Sequence, residues 1–241
     1  MEDKKVIMTL YGANCCGTGY NTSYPNKHEI TCLEDFTNAV KKDFVCVEYK
    51  GNHRKADNFI SSDCIAMDCD NDSDNPSDWK TPDDVAKAFP DIPFFIQFSR
   101  NNMKQKVDKA PRPRFHVVFP IEKVTDPNNY SLMKQQIMTV FPFFDSQAMD
   151  NARLMFGTEE PKCDFIPGSR HLEDMIRNII PCSQKDNGKE KNTVESTQAT
   201  KEAIAEGERN STMFNYALKV LTRLGDTSKA IISFFKLINA F

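Results

Sequence analysis

The most informative stretch of the sequence is Ile65-Ala66-Met67-Asp68-Cys69-Asp70-Asn71-Asp72, a short apolar run that ends in alternating carboxylates. Side chains alternate between the two faces of a strand, so Asp68 and Asp70 are predicted to lie on one side of a strand over residues 64–70. Two neighbouring carboxylates repel each other unless a cation lies between them, and Mg²⁺ and Mn²⁺ prefer such oxygen ligands. The stretch therefore predicts a divalent metal site at the end of a strand.

The stretch has two other interpretations. A calcium-binding EF-hand loop is excluded, because Ser73 stands where that loop needs glycine and Trp79 stands where it needs glutamate. An Asx-rich turn that merely closes a strand is the more frequent explanation of the pattern when it occurs alone. The metal interpretation therefore depends on the residues that follow.

Charge is distributed unevenly along the chain, although the formal net charge is only −3. Residues 63–84 contain eight acids and one base, whereas residues 100–114 contain six bases and one acid. Neighbouring segments of opposite charge suit a site that holds cations on one side and phosphates on the other. The alternative is two solvated loops that partly neutralise each other.

The basic segment ends in the run Arg112-Pro113-Arg114-Phe115-His116. Because the two arginines and the histidine are spaced by two, they are predicted to project from one face of a strand and to anchor a triphosphate. A lone histidine in an apolar strand is more often a core residue. A third isolated acid, Asp145, follows two phenylalanines and precedes Arg153. Neither of these two residues stands out alone.

Length and composition limit the classes of protein to which this chain can belong. The 241 residues can form one sizeable core with a small appendage, and no apolar run reaches the length of a membrane span. No signal peptide is recognised at the start of the sequence. The eight cysteines form no C-x-x-C pair, which argues against a zinc site and favours an intracellular chain with reduced thiols.

Strands alternate with helices, which predicts an α/β or α+β sheet domain over roughly residues 1–180. Strands are predicted at 4–10, 44–50, 64–70, 94–100 and 114–121, and helices near 33–42, from Thr81 to before Pro90, and near 128–141. Residues 183–203 lack apolar periodicity and are predicted to be an exposed linker. Two further helices are expected between that linker and Phe241.

The order and spacing of these elements resemble the archaeo-eukaryotic primase superfamily, especially the primase-polymerases of phages and mobile elements. That family's first motif is a strand ending in D-x-D, matched by Asp68 and Asp70. Its second motif ends in histidine, matched by His116, although Arg114 stands in the usual serine position. Its third is an apolar stretch ending in an acid with an arginine eight residues later, matched by Asp145 and Arg153. The segment that begins Glu208-Arg209-Asn210-Ser211-Thr212 resembles the start of the helical module often attached to such primases.

The resemblance implies an α+β fold in which a catalytic domain with an RRM-like mixed sheet (1–182) is followed by a linker (183–203) and a small helical module (204–241). It implies a DNA primase and polymerase that makes primers on single-stranded DNA from rNTPs or dNTPs, in the cytoplasm of a bacterial host, with a replicative helicase as a further partner and no membrane. Two Mg²⁺ or Mn²⁺ ions would be held by Asp68, Asp70 and Asp145. The nucleotide would be bound by His116, Arg112, Arg114, Arg153, Ser99 and Arg100.

Two rival functions stay open at this point. A metal-dependent nuclease or phosphohydrolase also needs clustered acids and phosphate-binding bases, and it would cleave DNA without nucleotides. A catalytically silent single-stranded DNA-binding protein would use the same basic channel and incorporate nothing.

Overall fold

The computed structural model of the protein describes residues 5–105 and 109–180. The predicted linker (183–203) and helical module (204–241) lie outside the described residues. No helix in the described ranges is both long enough and apolar enough to cross a membrane. The α+β class is confirmed, because two sheets and four short helices make up the described part of the chain.

A five-stranded sheet carries the domain, in the order β4-β5-β7-β6-β8. Its strands are β4 Val47–Tyr49, β5 Phe59–Cys69, β6 Phe94–Phe98, β7 Phe115–Val124 and β8 Cys163–Ile166. A smaller sheet has the order β2-β1-β3, formed by β1 Met8–Gly12, β2 Asn26–Ile30 and β3 Phe44–Val45. All pairs of these strands are antiparallel, rather than mixed as the resemblance implies.

The helices are α1 Leu33–Ala39, α2 Pro82–Ala88, α3 Pro127–Val140 and α4 Leu172–Ile176. Two of them begin as the sequence predicts. Asp84 accepts a hydrogen bond from the Thr81 backbone N–H at 2.9 Å, with Pro82 in the first helical position. Asp126 accepts from the Asn128 backbone N–H at 3.0 Å and thereby caps α3. A helix cap depends only on residues that are neighbours in the sequence, so the sequence predicts where these two helices begin.

Each face of the large sheet has its own apolar cluster, because alternate residues of β5 and β7 point to opposite sides. On one face, Ile65, Met67 and Val117 pack with residues of α2, α3 and α4. On the other face, Ala66 and Val118 pack with residues of α1 and the small sheet. Asp68 and His116 continue this second face beyond its apolar part. The polar site therefore lies at the end of the face that the small sheet covers.

The run 44–50 is predicted as one strand but serves both sheets. Its first part, β3, pairs with β1, and its last part, β4, pairs with β5. Between Phe44 and Met155 a pair of backbone hydrogen bonds of 2.9 and 2.8 Å ties this run to the segment after Arg153. The buried Asp43 carboxylate accepts from the backbone N–H groups of Gly17, Thr18 and Gly157 at 2.7, 2.7 and 2.9 Å. These contacts fix the segment 155–157 beside the large sheet.

Candidate functional site

Two rows of polar side chains cross the end of the large sheet. In the first row the strand register places Asp68 opposite His116 and His116 opposite Gln97. In the second row Asp70 lies beside Arg114, with 3.9 Å between Asp70 Oδ1 and Arg114 Nε. Asp68 and His116 lie on one face of the sheet, and Asp70 directly follows β5 while Arg114 directly precedes β7. The sheet thus brings the first two motifs together.

Asp68 is at the centre of this site and is only 7% exposed. His116 Nε2 lies 3.6 Å from Asp68 Oδ1, and Arg153 Nη2 donates to Asp68 Oδ2 at 3.4 Å. Arg153 Nη2 is also 3.9 Å from Asp145 Oδ2. The backbone N–H of Asp145 donates to the Asp68 carbonyl at 2.7 Å, which places the third acid beside the first. Four residues from three distant parts of the sequence therefore meet at one point.

Arg114 and Arg112 are both buried, but in different surroundings. Arg114 Nη1 donates to the carbonyls of Asn101 and Lys104 at 3.0 and 3.1 Å. Its Nη2 is buried and has no hydrogen-bond partner among the described residues, whereas its Nε lies 3.9 Å from Asp70 Oδ1. Arg112 Nη1 donates to the carbonyls of Asn71 and Ser73 at 3.0 and 2.9 Å, and its Nε donates to Ala110. Arg112 thus binds the loop after β5 with its guanidinium group, whereas Arg114 has one N–H donor, Nη2, that is not used within the described residues.

Ser99 and Arg100 lie at the rim of the site. The Ser99 backbone N–H donates to the Arg114 carbonyl at 2.9 Å, so Ser99 begins the loop that Arg114 holds. Arg100 is exposed, and its guanidinium lies 4.4 Å from the centre of the Phe156 ring. The predicted strand 94–100 ends at Phe98 because the chain turns at Ser99, where Asn102 N–H donates to the Ser99 carbonyl.

The oppositely charged segments partly neutralise each other, as the alternative interpretation of the charge pattern predicts. Lys109 pairs with Asp72, Arg112 pairs with the exposed Asp74, and Arg114 lies against Asp70. The Lys109–Asp72 pair is exposed on both sides and contributes little to stability, whereas the arginines of the other two pairs are buried. Charge pattern alone therefore does not identify the site, and the argument for function depends on the buried residues.

A buried lysine, Lys134 of α3, supports the loop between Asp145 and Arg153. Its Nζ donates to the carbonyls of Ala148 and Asp150 at 2.8 and 3.1 Å, and the residue is 2% exposed. Burial removes the ammonium group from water and lowers the pKa of Lys134 to about 8. Sequence reasoning missed this residue, because a lysine within a helix normally faces solvent.

Lys134 gives the first testable prediction. Its pKa is about 8 in the folded chain and ordinarily 10.5, so between these values the unfolded chain binds more protons. The contribution of Lys134 to the free energy of unfolding is therefore lowest below pH 8 and rises as the pH approaches 10.5. We expect the stability difference between wild type and Lys134→Met to shift by about 3 kcal/mol across that window in favour of wild type.

Urea unfolding at several pH values measures this shift. The comparison with Lys134→Met subtracts the titration of buried thiols and phenols, which is common to both proteins. Lys87 on α2 has an exposed side chain, so Lys87→Met is the control, for which a flat difference is expected. A flat difference for Lys134→Met as well would contradict the lowered pKa.

Cys69 is the last residue of β5 and lies between Asp68 and Asp70 in the sequence, but its side chain is not part of the polar site. It is fully buried on the opposite face of the strand. Burial, and then the charge of Asp68, raise the pKa of the Cys69 thiol to about 12. Cys69 therefore stays a neutral thiol and adds no charge to the site.

The fit of the site to a divalent cation is partial. Within residues 5–105 and 109–180, no group of three or more His, Cys, Asp or Glu side chains is arranged to hold a metal ion. However, Asp68 Oδ1 is buried without a hydrogen-bond partner, and the Arg153 guanidinium already lies between Asp68 and Asp145. Carboxylate oxygens around a position that attracts a cation are the donors that Mg²⁺ and Mn²⁺ prefer. The carboxylate oxygens of Asp68 and Asp145 therefore suit a divalent cation. Asp70, the third predicted ligand, lies next to Arg114.

Comparisons with known proteins add little to this geometry. No protein-family model matches the sequence, and no curated protein matches it. A search of solved structures finds the AEP domain of the primase-polymerase (PrimPol) of cyanophage S-2L, which is 12% identical. The match covers 73% of this chain and 91% of that domain, with a TM-score of 0.41. A likeness of this strength carries no argument about activity, so the proposal below depends on the site itself.

Proposed function

We propose that this chain is a metal-dependent nucleotidyltransferase that synthesises primers on single-stranded DNA from nucleoside triphosphates. The observation that supports it is the meeting of Asp68, His116, Asp145 and Arg153, with 3.4 to 3.9 Å between their polar side-chain atoms. These residues come from three separate motifs and converge at the end of one sheet face. A chain that only bound DNA by charge would gain nothing from the buried Asp68 carboxylate and the half-buried Asp145 carboxylate beside its bases.

In this proposal the acids hold divalent cations and the bases hold phosphates. Asp68, Asp145 and Asp70 are the proposed metal ligands. Bound Mg²⁺ or Mn²⁺ would activate the attacking 3′-hydroxyl and stabilise the charge of the leaving pyrophosphate. Arg153, His116 and Arg114 are the proposed phosphate contacts, because each lies beside one of these acids.

Arg112 has a different part in the proposal. All three of its guanidinium nitrogens have acceptors within the protein, at the loop 71–74 and at Ala110. We propose that Arg112 positions this loop behind Asp70 rather than contacting the phosphates. Ser99 and Arg100 contact the template or the nucleotide from the rim.

The experiment combines the full chain with single-stranded template, labelled nucleotides and Mn²⁺ or Mg²⁺, and compares wild type with Asp70→Ala. New oligonucleotides from wild type and none from the variant support the proposal. Asp72→Ala is the matched control, because Asp72 is exposed on the same loop and pairs with Lys109. This control should retain synthesis.

Other outcomes would overturn all or part of the proposal. Extension of a supplied primer without new starts would make the protein a polymerase. DNA cleavage without nucleotides would make it a nuclease. DNA binding with no synthesis under any condition would make it a silent single-stranded DNA-binding protein.

A further inference from the structure

Tyr20 is 89% exposed, more than any other aromatic residue that the structure describes, and the function proposed so far does not use it. We propose that Tyr20 and Arg100 together bind single-stranded DNA, with an unpaired base stacked on the Tyr20 ring and a neighbouring phosphate on the Arg100 guanidinium. That the bound strand is the template rests on the proposed function, whereas the contact itself does not.

The loop that carries Tyr20 is fixed on both sides of this residue. Before it, the buried Asp43 carboxylate accepts from the backbone N–H groups of residues 17 and 18, both at 2.7 Å. Around it, Arg54 Nη2 donates to the carbonyls of residues 19 and 21 at 3.3 and 3.1 Å. The Tyr20 backbone is therefore ordered before a ligand binds, so that stacking a base on the ring costs less conformational entropy.

Arg100 lies beside this loop rather than among the acids of the proposed metal site. Its guanidinium is 4.4 Å from the centre of the Phe156 ring. A Cβ at Gly17 would lie 2.5 Å from Arg100 Nη1, so the guanidinium occupies the space that a side chain at Gly17 would take. A Cβ at Gly19 would lie 3.5 Å from the same Phe156 ring. Arg100 and the residue that precedes Tyr20 therefore meet at one aromatic ring, which brings the cation to the loop of the exposed tyrosine.

The charge of this loop and its neighbour suits a polyanion. Residues 12–26 contain no acid and no base, although 27% of the chain is charged. Arg100 forms no ion pair with any acid in the ranges 5–105 and 109–180. An exposed guanidinium without a carboxylate partner is a ready donor to a phosphate oxygen, and a loop without acids does not repel a strand.

The tyrosine ring decides between a single strand and a duplex. Stacking on an aromatic side chain is open to every base, but it needs a base whose face is free. A duplex hides these faces within its own stack. The combination of a free cation and an exposed ring therefore favours an unpaired strand.

Fluorescence anisotropy with a labelled single-stranded oligonucleotide tests the contact, in EDTA and without nucleoside triphosphates. We expect Tyr20→Ala to bind about 5- to 100-fold more weakly than wild type, because stacking on one base is lost. Tyr20→Phe keeps the ring and should bind nearly as tightly as wild type. The free energy of unfolding should be the same in all three proteins, because the ring is exposed. Unchanged binding in Tyr20→Ala, or a wild type that does not bind the strand, would overturn the proposal.

A strand of abasic residues separates stacking from charge. It keeps the phosphates but has no bases, so wild type and Tyr20→Ala should bind it equally. An equal loss on the abasic and the normal strand would contradict stacking.

Leu132→Ala is the matched control for the loss of an exposed apolar side chain. Leu132 is 41% exposed on α3, a helix that packs on β5, β7 and α4. This variant should bind both strands as wild type does. If it weakens binding as much as Tyr20→Ala does, the effect is not specific to the Tyr20 ring and the proposal is wrong.

The salt dependence of binding tests Arg100. Each phosphate that a protein neutralises on a single strand contributes about 0.7 to the slope of log K against log salt. Arg100→Met should lower the slope by about that amount. Arg100→Lys should keep the slope, and so should Tyr20→Ala. Arg177→Met removes an exposed arginine of α4 and is the control, for which the wild-type slope is expected. A wild-type slope in Arg100→Met would exclude the phosphate contact.

Primer synthesis distinguishes this inference from the proposed function. In Tyr20→Ala the KM for template should rise while kcat stays near wild type, because a contact that ground state and transition state share affects only KM. If wild type binds the strand as expected but synthesises nothing, the proposed function is wrong and the contact stands. If wild type synthesises primers and Tyr20→Ala binds the strand equally well, only this inference is wrong.

Discussion

Asp68→Asn should reduce nucleotide incorporation by about 10³-fold or more while the protein stays folded. The substitution keeps the size of the side chain but removes the negative charge that faces Arg153 and His116. Because Asp68 Oδ1 is buried without a hydrogen-bond partner in the described part of the chain, the native carboxylate is kept at a cost to stability. We therefore expect the free energy of unfolding to stay the same or to rise, as at many functional sites. Primer synthesis and urea unfolding of the same preparation measure the two effects.

Asp63→Asn is the control for this prediction. Asp63 lies on the same strand, but its carboxylate accepts from the Thr9 backbone N–H and hydroxyl, both at 2.8 Å, and connects the two sheets. This variant should lose about 1–2 kcal/mol of stability and keep its activity. If Asp68→Asn keeps more than a tenth of wild-type synthesis, Asp68 does not have the proposed role in the reaction.

Arg112→Met should cost about 3 kcal/mol of unfolding free energy. The guanidinium is 1% exposed and donates to three backbone carbonyls, those of Asn71, Ser73 and Ala110. Methionine fills similar space but donates to none of these carbonyls, of which only that of Ser73 keeps a second donor, Trp79 Nε1 at 2.8 Å. The exposed Asp74 contributes little, because water screens its charge. Urea denaturation gives the loss directly.

Two variants accompany this measurement. Arg112→Lys keeps the charge but lacks the planar fork, and we expect it to recover only part of the stability. Arg177→Met removes an exposed arginine of a surface pair and should have almost no effect. If Arg112→Met loses less than 1 kcal/mol of unfolding free energy and has a raised KM for nucleotides, Arg112 contacts the phosphates, as the sequence motif predicts.

The elements predicted from the sequence are those with strong local signals. The alternation at Asp68 and Asp70, the capping residues before α2 and the Asp126–Pro127 start of α3 each depend on neighbours in the sequence. The α+β class follows from their order. The short edge strands β2 and β8 were not predicted, because few of their residues are fully buried and alternation is weak.

The buried polar residues of the site depend on tertiary contacts, and this is where prediction from sequence is weakest. Gln97 interrupts the apolar run Phe94-Phe95-Ile96-Gln97-Phe98, and its position opposite His116 appears only when β6 pairs with β7. A single polar residue within an apolar strand was the available signal. Arg112 and Arg114 share a spacing of two, yet the strand begins at Phe115 and their guanidinium groups separate.

The hydrogen bond from the Gly157 N–H to the Asp43 carboxylate has a consequence for biosynthesis. Its partners are 114 positions apart, and the Phe44–Met155 bridge closes nearly the same span. At translation rates of about 5–20 residues per second, on the order of ten seconds separate the emergence of the two sides. Until the later segment leaves the ribosome, β3 lacks the Met155 pairing and Asp68 lacks Arg153. A nascent chain stalled before Met155 should therefore expose the apolar surface of the small sheet and depend on chaperones.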